Sequence, residues 1–291
     1  MHALIQGLIL GILTAGVYAL MASGQTLIFG VMKVVNLAQG AMVIFSAYLS
    51  YELFTSFGID PFLSIPIVTI VMFVIGVLVQ IVFLRPLRSE DRSELSLLVT
   101  FAVALLLEGI MTVTWNTNVR SVNTSYANFS WTVFGYRIPI VRFWAFIMSV
   151  AVLCLLYVLL YRSRFGRAIR ATVQNPEAAR LLGVQSERIA ALGFGLGAST
   201  AATAGAVYGL LYPFNAGSHY DLISRLLSII VLGGLGSVGG AIVGALIISV
   251  SSSVVATISP TWSEMTFFVI LLLVLLIRPR GLFGTAARGA I

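Results

Sequence analysis

Residues 166–185, GRAIRATVQNPEAARLLGVQ, lie in a polar interruption, Arg162–Arg188, between long apolar runs. Asn175 is placed to cap a helix, its side chain accepting from the free amides of the first turn. Pro176 suits the first helical position, where a missing N–H costs nothing. Glu177 sits at the positive end of the helix dipole and Arg180 nearer the negative end. Ala178, Ala179, Leu181 and Leu182 are good helix formers. Gly183 can take the left-handed conformation that ends a helix. The helix expected over 176–182 is too short to hold alone in water, so it needs a surface to lie on. On spacing alone, an ordinary amphipathic loop helix and a helix made for another protein fit equally well.

The flanking runs decide the solvent. The chain is 59% hydrophobic and 9% charged, with mean hydropathy +1.04. A soluble domain carries roughly a quarter charged residues. Apolar runs of about 20 residues recur, the length that crosses a bilayer. The reading is an all-α polytopic membrane protein, one transmembrane domain over 1–291 with the cytoplasmic segment 162–188 within it. The net charge of +7 does not imply nucleic acid, since basic loops on one side of a membrane give the same excess. Cys154 is the single cysteine, so the chain holds no internal disulfide framework or thiolate metal site. Met1–Gly7 lacks Lys and Arg, so no signal-peptide n-region is expected and the first span is read as uncleaved. The Asn-x-Ser/Thr-type matches at Asn123 and Asn128 matter only in a secretory pathway.

In chain order, the first run spans about 3–28, with Gly7, Gly11, Ala15, Ala19 and Ser23 at four-residue spacing for close helix packing. Residues 29–40 break it, and apolar character resumes through Leu53. Further spans are expected at 62–84, 95–115, 143–161 and 189–211. The last carries its own stripe, Gly193, Gly197, Ala201, Gly205 and Gly209. Residues 116–142 are polar and aromatic without helical periodicity. The short run 222–232, the Gly-rich 233–240, the run 241–258 and a final run 265–277 complete the chain.

Charge assigns the sides. Arg85, Arg88 and Arg92, the arginines of 162–188, and those from Arg278 onward are expected on the cytoplasmic side. The tail and the 162–188 segment then share a side, which requires 222–235 to cross as part of a broken helix. The expectation is about nine crossings, between eight and ten, with the N-terminus outside and the C-terminus cytoplasmic.

Several chemistries are disfavoured. Gly234-Leu-Gly236-Ser-Val-Gly239 matches a dinucleotide fingerprint in letters, but its surroundings are apolar and no acid stands at the required distance. Irregular backbone at membrane depth needs protein or a water-filled cavity around it, so Gly234, Gly236 and Ser237 are candidates for a cavity wall. Lys33, the single lysine, is followed by Val34, so no Walker A site exists. His2 and His219 have no ligand-spaced partners. His219, Asp221 and Arg225 are read as a polar loop at the outer surface. No Gly-x-Ser-x-Gly is present. Glu108 is the one acid deep in an apolar run. Such acids are functional by default, but without a basic or His relay partner it is read as a packing element. Asn36 and Gln39, beside Gly40, either line a path for a polar or zwitterionic solute or cap a restarting helix.

The chain resembles the integral membrane permeases of bacterial ABC importers for branched-chain amino acids, the LivH type. The resemblance covers essentially the whole chain. It rests on GRAIRATVQNPEAARLLGV at 166–184, VNLAQGAMVIFSAY at 35–48, GGLGSVGGAIVGALI at 233–247 and RPRGLFG at 278–284. It implies that the cytoplasmic helix, with its cap Asn175 and terminator Gly183, docks into a separate ATP-binding subunit. It also implies two such ATPases, a second related permease and a periplasmic solute-binding protein, in the bacterial inner membrane. No cofactor is expected in this chain, ATP being bound by the partners. The substrate implied is a branched-chain or other hydrophobic amino acid. Alternatives are urea or a short amide, or a secondary carrier driven through Glu108.

Overall fold

The first apolar run forms one helix, α1 (His2–Met32), in a computed structural model that describes residues 2–87, 92–279 and 281–283. Arg88, Arg280, Arg288 and Gly284, which entered the charge and motif readings, lie outside the described residues. Lys33 turns the chain with a left-handed φ of 57°. Residues 34–38 then run back into the bundle, where Asn36 Oδ1 accepts from the Ala38 amide at 3.1 Å. The second helix, α2 (Gln39–Phe57), therefore begins inside the protein and not at its edge.

Asp60 starts the next helix, α3 (Pro61–Val79), by accepting from the Phe62 amide at 2.9 Å. A π-helical turn over Gln80–Leu84 extends it. Next come α4 (Arg92–Trp115), α5 (Ile140–Arg162), α6 (Arg164–Gln174), α7 (Pro176–Leu181) and α8 (Ser186–Leu211). The last three helices are α9 (His219–Gly233), α10 (Val238–Ala256) and α11 (Pro260–Ile277).

One element was not expected. Residues 116–142 contain a β-hairpin, β1 (Ser130–Val133) against β2 (Tyr136–Pro139), antiparallel, with Val133 opposite Tyr136. Its turn is Phe134-Gly135, both at positive φ (51° and 82°), as a type I′ turn demands. Phe is an uncommon residue there, so the usual Asn-Gly signal was absent.

The bundle has two distinct ends. At the hairpin end, Gln6 Nε2 donates to the Arg137 carbonyl at 2.6 Å, and Gln6 Oε1 accepts from the Arg137 amide at 3.0 Å. His2 stacks on Tyr136, and Arg120 pairs with Phe214 through the backbone. At the basic end lie Lys33, Arg85, α6 and α7. There the Leu282 amide donates to the Leu232 carbonyl at 2.8 Å and the Phe283 amide to the Gly233 carbonyl at 3.1 Å.

The core is built around α8, which packs on α1, α2 and α3. Its small residues make this possible. A Cβ on Gly197 would stand 2.5 Å from Ile28, and one on Gly205 would collide with the Val43 carbonyl of α2. Ala201 is fully buried, Gly193 lies against Val31 and Gly209 against Phe214. On α1, Gly7 and Gly11 admit α10 as closely, at Ser253 and Val250. The outer faces are apolar. Leu63 (72%), Val113 (86%) and Leu276 (74%) are open, which suits hydrocarbon and not water.

Seven helices among the described residues are long and apolar enough to cross a membrane: α1, α3 with its π turn, α4, α5, α8, α10 and α11. The protein is helical and polytopic. Residues 222–258, which hydropathy alone merges into one run, form two helices folded against each other, with Gly244 against the Ile229 carbonyl and Gly233 against Gly240.

Candidate functional site

The interruption at 162–188 folds into two helices. Ser163 caps α6, accepting from the Gly166 amide at 2.9 Å. Asn175 ends α6 and caps α7, its Oδ1 accepting from the amides of Glu177 (3.1 Å) and Ala178 (3.0 Å). Gly183, at φ 83°, closes α7, with its amide donating to the Arg180 carbonyl and the Val184 amide to the Ala179 carbonyl. Pro176 opens the helix, which spans Pro176–Leu181, with Leu182 at its C-cap.

The two faces of α7 differ. Ala179 is 2% exposed and packs inward, whereas Leu181 is 90% and Leu182 83% exposed. Glu177, Ala178 and Arg180 are exposed as well. Beside α7 runs a groove of about 700 Å³ lined by Arg85, Arg180, Glu187 and Arg188. Arg85 pairs with Glu187 at 2.7 Å across it. Two open leucines at a basic, polar end are the kind of apolar anchor that a helix presents to a groove on another protein.

A second polar cluster lies inside the bundle. Asn36 and Gln39 are fully buried. Asn36 Nδ2 donates to Gln39 Oε1 at 3.2 Å, and Gln39 Nε2 donates to the Gly197 carbonyl at 3.3 Å. Gly40 lets the start of α9 approach, since a Cβ there would stand 2.7 Å from the His219 carbonyl. Thus α2 and α9 both begin here, each from a segment that has turned into the bundle. Gly234 and Gly236, at φ 96° and 87°, form the α9–α10 turn, which sits at the basic end beside residues 281–283 and not at mid-depth. Ser237 Oγ caps α10 by accepting from the Gly240 amide at 3.0 Å. Gly236 borders a cavity of about 220 Å³ with Gly30, Tyr161 and Arg170.

Two readings from sequence need correction. His219 is not part of an exposed outer loop; it is 1% exposed. Nor is Glu108 without a partner. Its Oε2 accepts from the Tyr220 hydroxyl at 2.9 Å and stands 3.8 Å from His219 Nε2. Neither relation was legible, because the residues lie more than a hundred positions apart and α9 begins inside the bundle.

A third place was missed in the sequence. A cavity of about 620 Å³ opens at the hairpin end between α1, α8, α9, α10 and α11. Tyr18, Tyr208, Asp221, Arg225, Ser249 and Glu264 are among its lining residues. They come from five separate segments, and no local spacing announces them.

The sequence model for branched-chain amino acid transport system permease components matches residues 7–276. The chain is 28% identical over 294 residues to the high-affinity branched-chain amino acid transport system permease protein BraD of Pseudomonas aeruginosa, covering 96% of this chain and 95% of that one. It is 28% identical to the high-affinity permease LivH of Escherichia coli, covering 94% and 93%. The probable LivH of Methanocaldococcus jannaschii is also 28% identical, covering 94% and 90%. No solved structure matches the chain.

Proposed function

The chain belongs to the family of branched-chain amino acid transport system permease components, and from that premise we propose that it is one translocation subunit of an ATP-driven importer for branched-chain or other hydrophobic amino acids. It is a multi-pass membrane protein, and the bacterial inner membrane is its place. It forms one permease domain over 1–291, binds no nucleotide itself and needs no cofactor. ATP is hydrolysed by two partner subunits, a second related permease completes the path, and a periplasmic binding protein delivers the solute.

The topology in this reading has nine crossings. The seven long helices cross, and so do residues 33–57 and 212–233, each as an inward-turning segment followed by a helix that starts within the bundle. Broken helices of this kind are tolerated only where protein or a cavity surrounds them. The hairpin end with the N-terminus faces outside, and the basic end with the C-terminus faces the cytoplasm, as the arginine distribution favours.

The observation that carries the reading is α7. A six-residue helix is too short to be stable by itself, yet it is capped at both ends and turns Leu181 and Leu182 outward. We assign residues 175–183 as the contact with an ATP-binding subunit. ATP-driven closure of the two ATPases would carry α7 as a rigid body and tilt α5 and α8 by hinge and shear. Asn36, Gln39 and Gly40 are then wall residues where α2 restarts inside the bundle, and Gly234, Gly236 and Ser237 are wall residues at the cytoplasmic end of the path. The polar Glu108–Tyr220 spot on an otherwise apolar surface is unsuited to lipid, which supports turning that face toward the second permease.

Uptake of labelled leucine, isoleucine and valine in cells with and without this chain tests the proposal. The account expects uptake that needs the chain, fails on ATP depletion and survives an uncoupler. The reverse pattern of energy dependence would favour a secondary carrier, and urea uptake without amino-acid uptake would favour the amide alternative.

A further inference from the structure

Arg225, on α9, is half-buried in the cavity at the hairpin end. Its guanidinium lies over the Phe267 ring, 5.1 Å from the centroid. Asp221 stands one turn before it on the same helix, a spacing that permits an ion pair. The pair is not made: among the described residues no carboxylate oxygen lies within 4 Å of Arg225. An arginine held among membrane helices without a direct ion pair is expensive and marks a functional position.

The same cavity holds opposite charges that do not neutralise each other by direct contact. Asp221 and Glu264 line it, as do Arg142 and Arg225. Ser249 is buried, and its Oγ has no hydrogen-bond partner. Such unsatisfied groups in a polar cavity await a ligand or water. Leu10, Leu222, Ile229 and Ile248 supply an apolar wall. A monocarboxylate would leave the acids unmet, and an amine would leave the guanidinium unmet. Urea carries no formal charge and gains little from either. A zwitterion satisfies both signs at once.

We infer that this cavity is a binding site for an apolar α-amino acid within the permease itself, with Arg225 taking the carboxylate, Asp221 and Glu264 the ammonium, and the apolar wall the side chain. Arginine suits the first role because its planar fork matches a carboxylate. The inference rests on the transport reading for its choice of solute, and the test separates the two.

The test uses the purified full chain in detergent, without ATPases or binding protein, and measures equilibrium binding of labelled leucine up to millimolar concentration. Saturable binding is expected. The half-molecules 4-methylpentanoate and 3-methylbutylamine should compete at least about tenfold less well than leucine, because each leaves one charge set unpaired. Arg225→Gln should abolish binding, Arg225→Lys should restore part of it, and Asp221→Asn should weaken it. If Arg225→Gln does not yield monodisperse protein, the competition series on the unaltered chain still decides. No saturable binding, equal competition by urea or by either half-molecule, or full binding by well-folded Arg225→Gln would overturn the site. Leucine uptake that needs the chain, with no binding to the purified chain, would sink the site and leave the transport reading standing. Binding by the chain with uptake that does not need it would do the opposite.

Discussion

Glu108 of α4, partly exposed on the bundle surface, and the buried His219, the first residue of α9, face each other with Oε2 and Nε2 3.8 Å apart. His219 Nδ1 lies 2.9 Å from the Ala216 carbonyl, so the tautomer that donates there leaves Nε2 as an acceptor facing the carboxylate. The Tyr220 hydroxyl occupies the same Oε2 at 2.9 Å. The arrangement ties α4 to the start of α9, where α2 also begins.

Glu108→Gln should therefore keep transport within about fivefold, since the amide oxygen can still accept from the Tyr220 hydroxyl, and one net hydrogen bond is worth about 1 kcal/mol. Uptake measured from pH 6 to 8 checks this. A near-complete loss with a displaced pH profile would instead make the acid a proton carrier.

Gly205→Leu should remove the protein from the membrane fraction that survives detergent extraction. The new side chain meets the Val43 carbonyl, Ser46 and the Ala47 amide of α2, and backbone cannot yield as a flexible side chain can. Overpacking of this kind costs typically about 1–3 kcal/mol, and more where backbone blocks the way. Normal yield with normal uptake would show that α2 and α8 are not packed as described.

Asp60→Ala should lower the melting temperature in detergent, and Asp60→Asn much less. Asp60 caps α3 through Oδ1, and its Oδ2 accepts from the Tyr126 hydroxyl at 2.6 Å. Loss of a cap costs about 0.5–2 kcal/mol, and Asn caps about as well as Asp. Burial, and then the bond to Asp60, push the Tyr126 hydroxyl well above its ordinary range. A raised value means that this contribution is complete below the ordinary tyrosine range and is lost only as pH rises through the raised value. Melting should therefore be insensitive to pH between 6 and 8 as far as this pair is concerned. Equal melting of the Ala variant and the unaltered chain would show that the pair holds nothing.

What the sequence disclosed follows from locality. The cap at Asn175, the stop at Gly183 and the stripe from Gly193 to Gly209 are short-range patterns, and α7 and α8 follow them. The break between 232 and 241 was legible for the same reason, although its turn lies at the basic end. Three things were not legible. The hairpin at 130–139 turns on Phe134 in a conformation that Phe seldom adopts. The inward-turning segments before α2 and α9 carry too few residues for hydropathy to show where they lie. His219 and Arg225 gain their surroundings only when helices distant in sequence meet, so the first looked like loop and the second like surface.

The two faces of α7 also decide how its role is probed. Ala179→Asp would strike the inward face and unsettle the chain itself. Leu181 is the exposed position, remote from the Asn175 cap and ahead of Gly183, so α7 should still form in Leu181→Asp.

The most direct measurement is co-purification of the ATP-binding subunits with the Leu181→Asp chain, read together with leucine uptake. Burying an unpaired carboxylate in an apolar contact costs several kcal/mol. The account predicts a chain that inserts and extracts normally, loses the ATPases on purification and no longer supports uptake. Co-purification and uptake both at the unaltered level would contradict it, and α7 would then be a loop helix of this chain and not its contact with the motor.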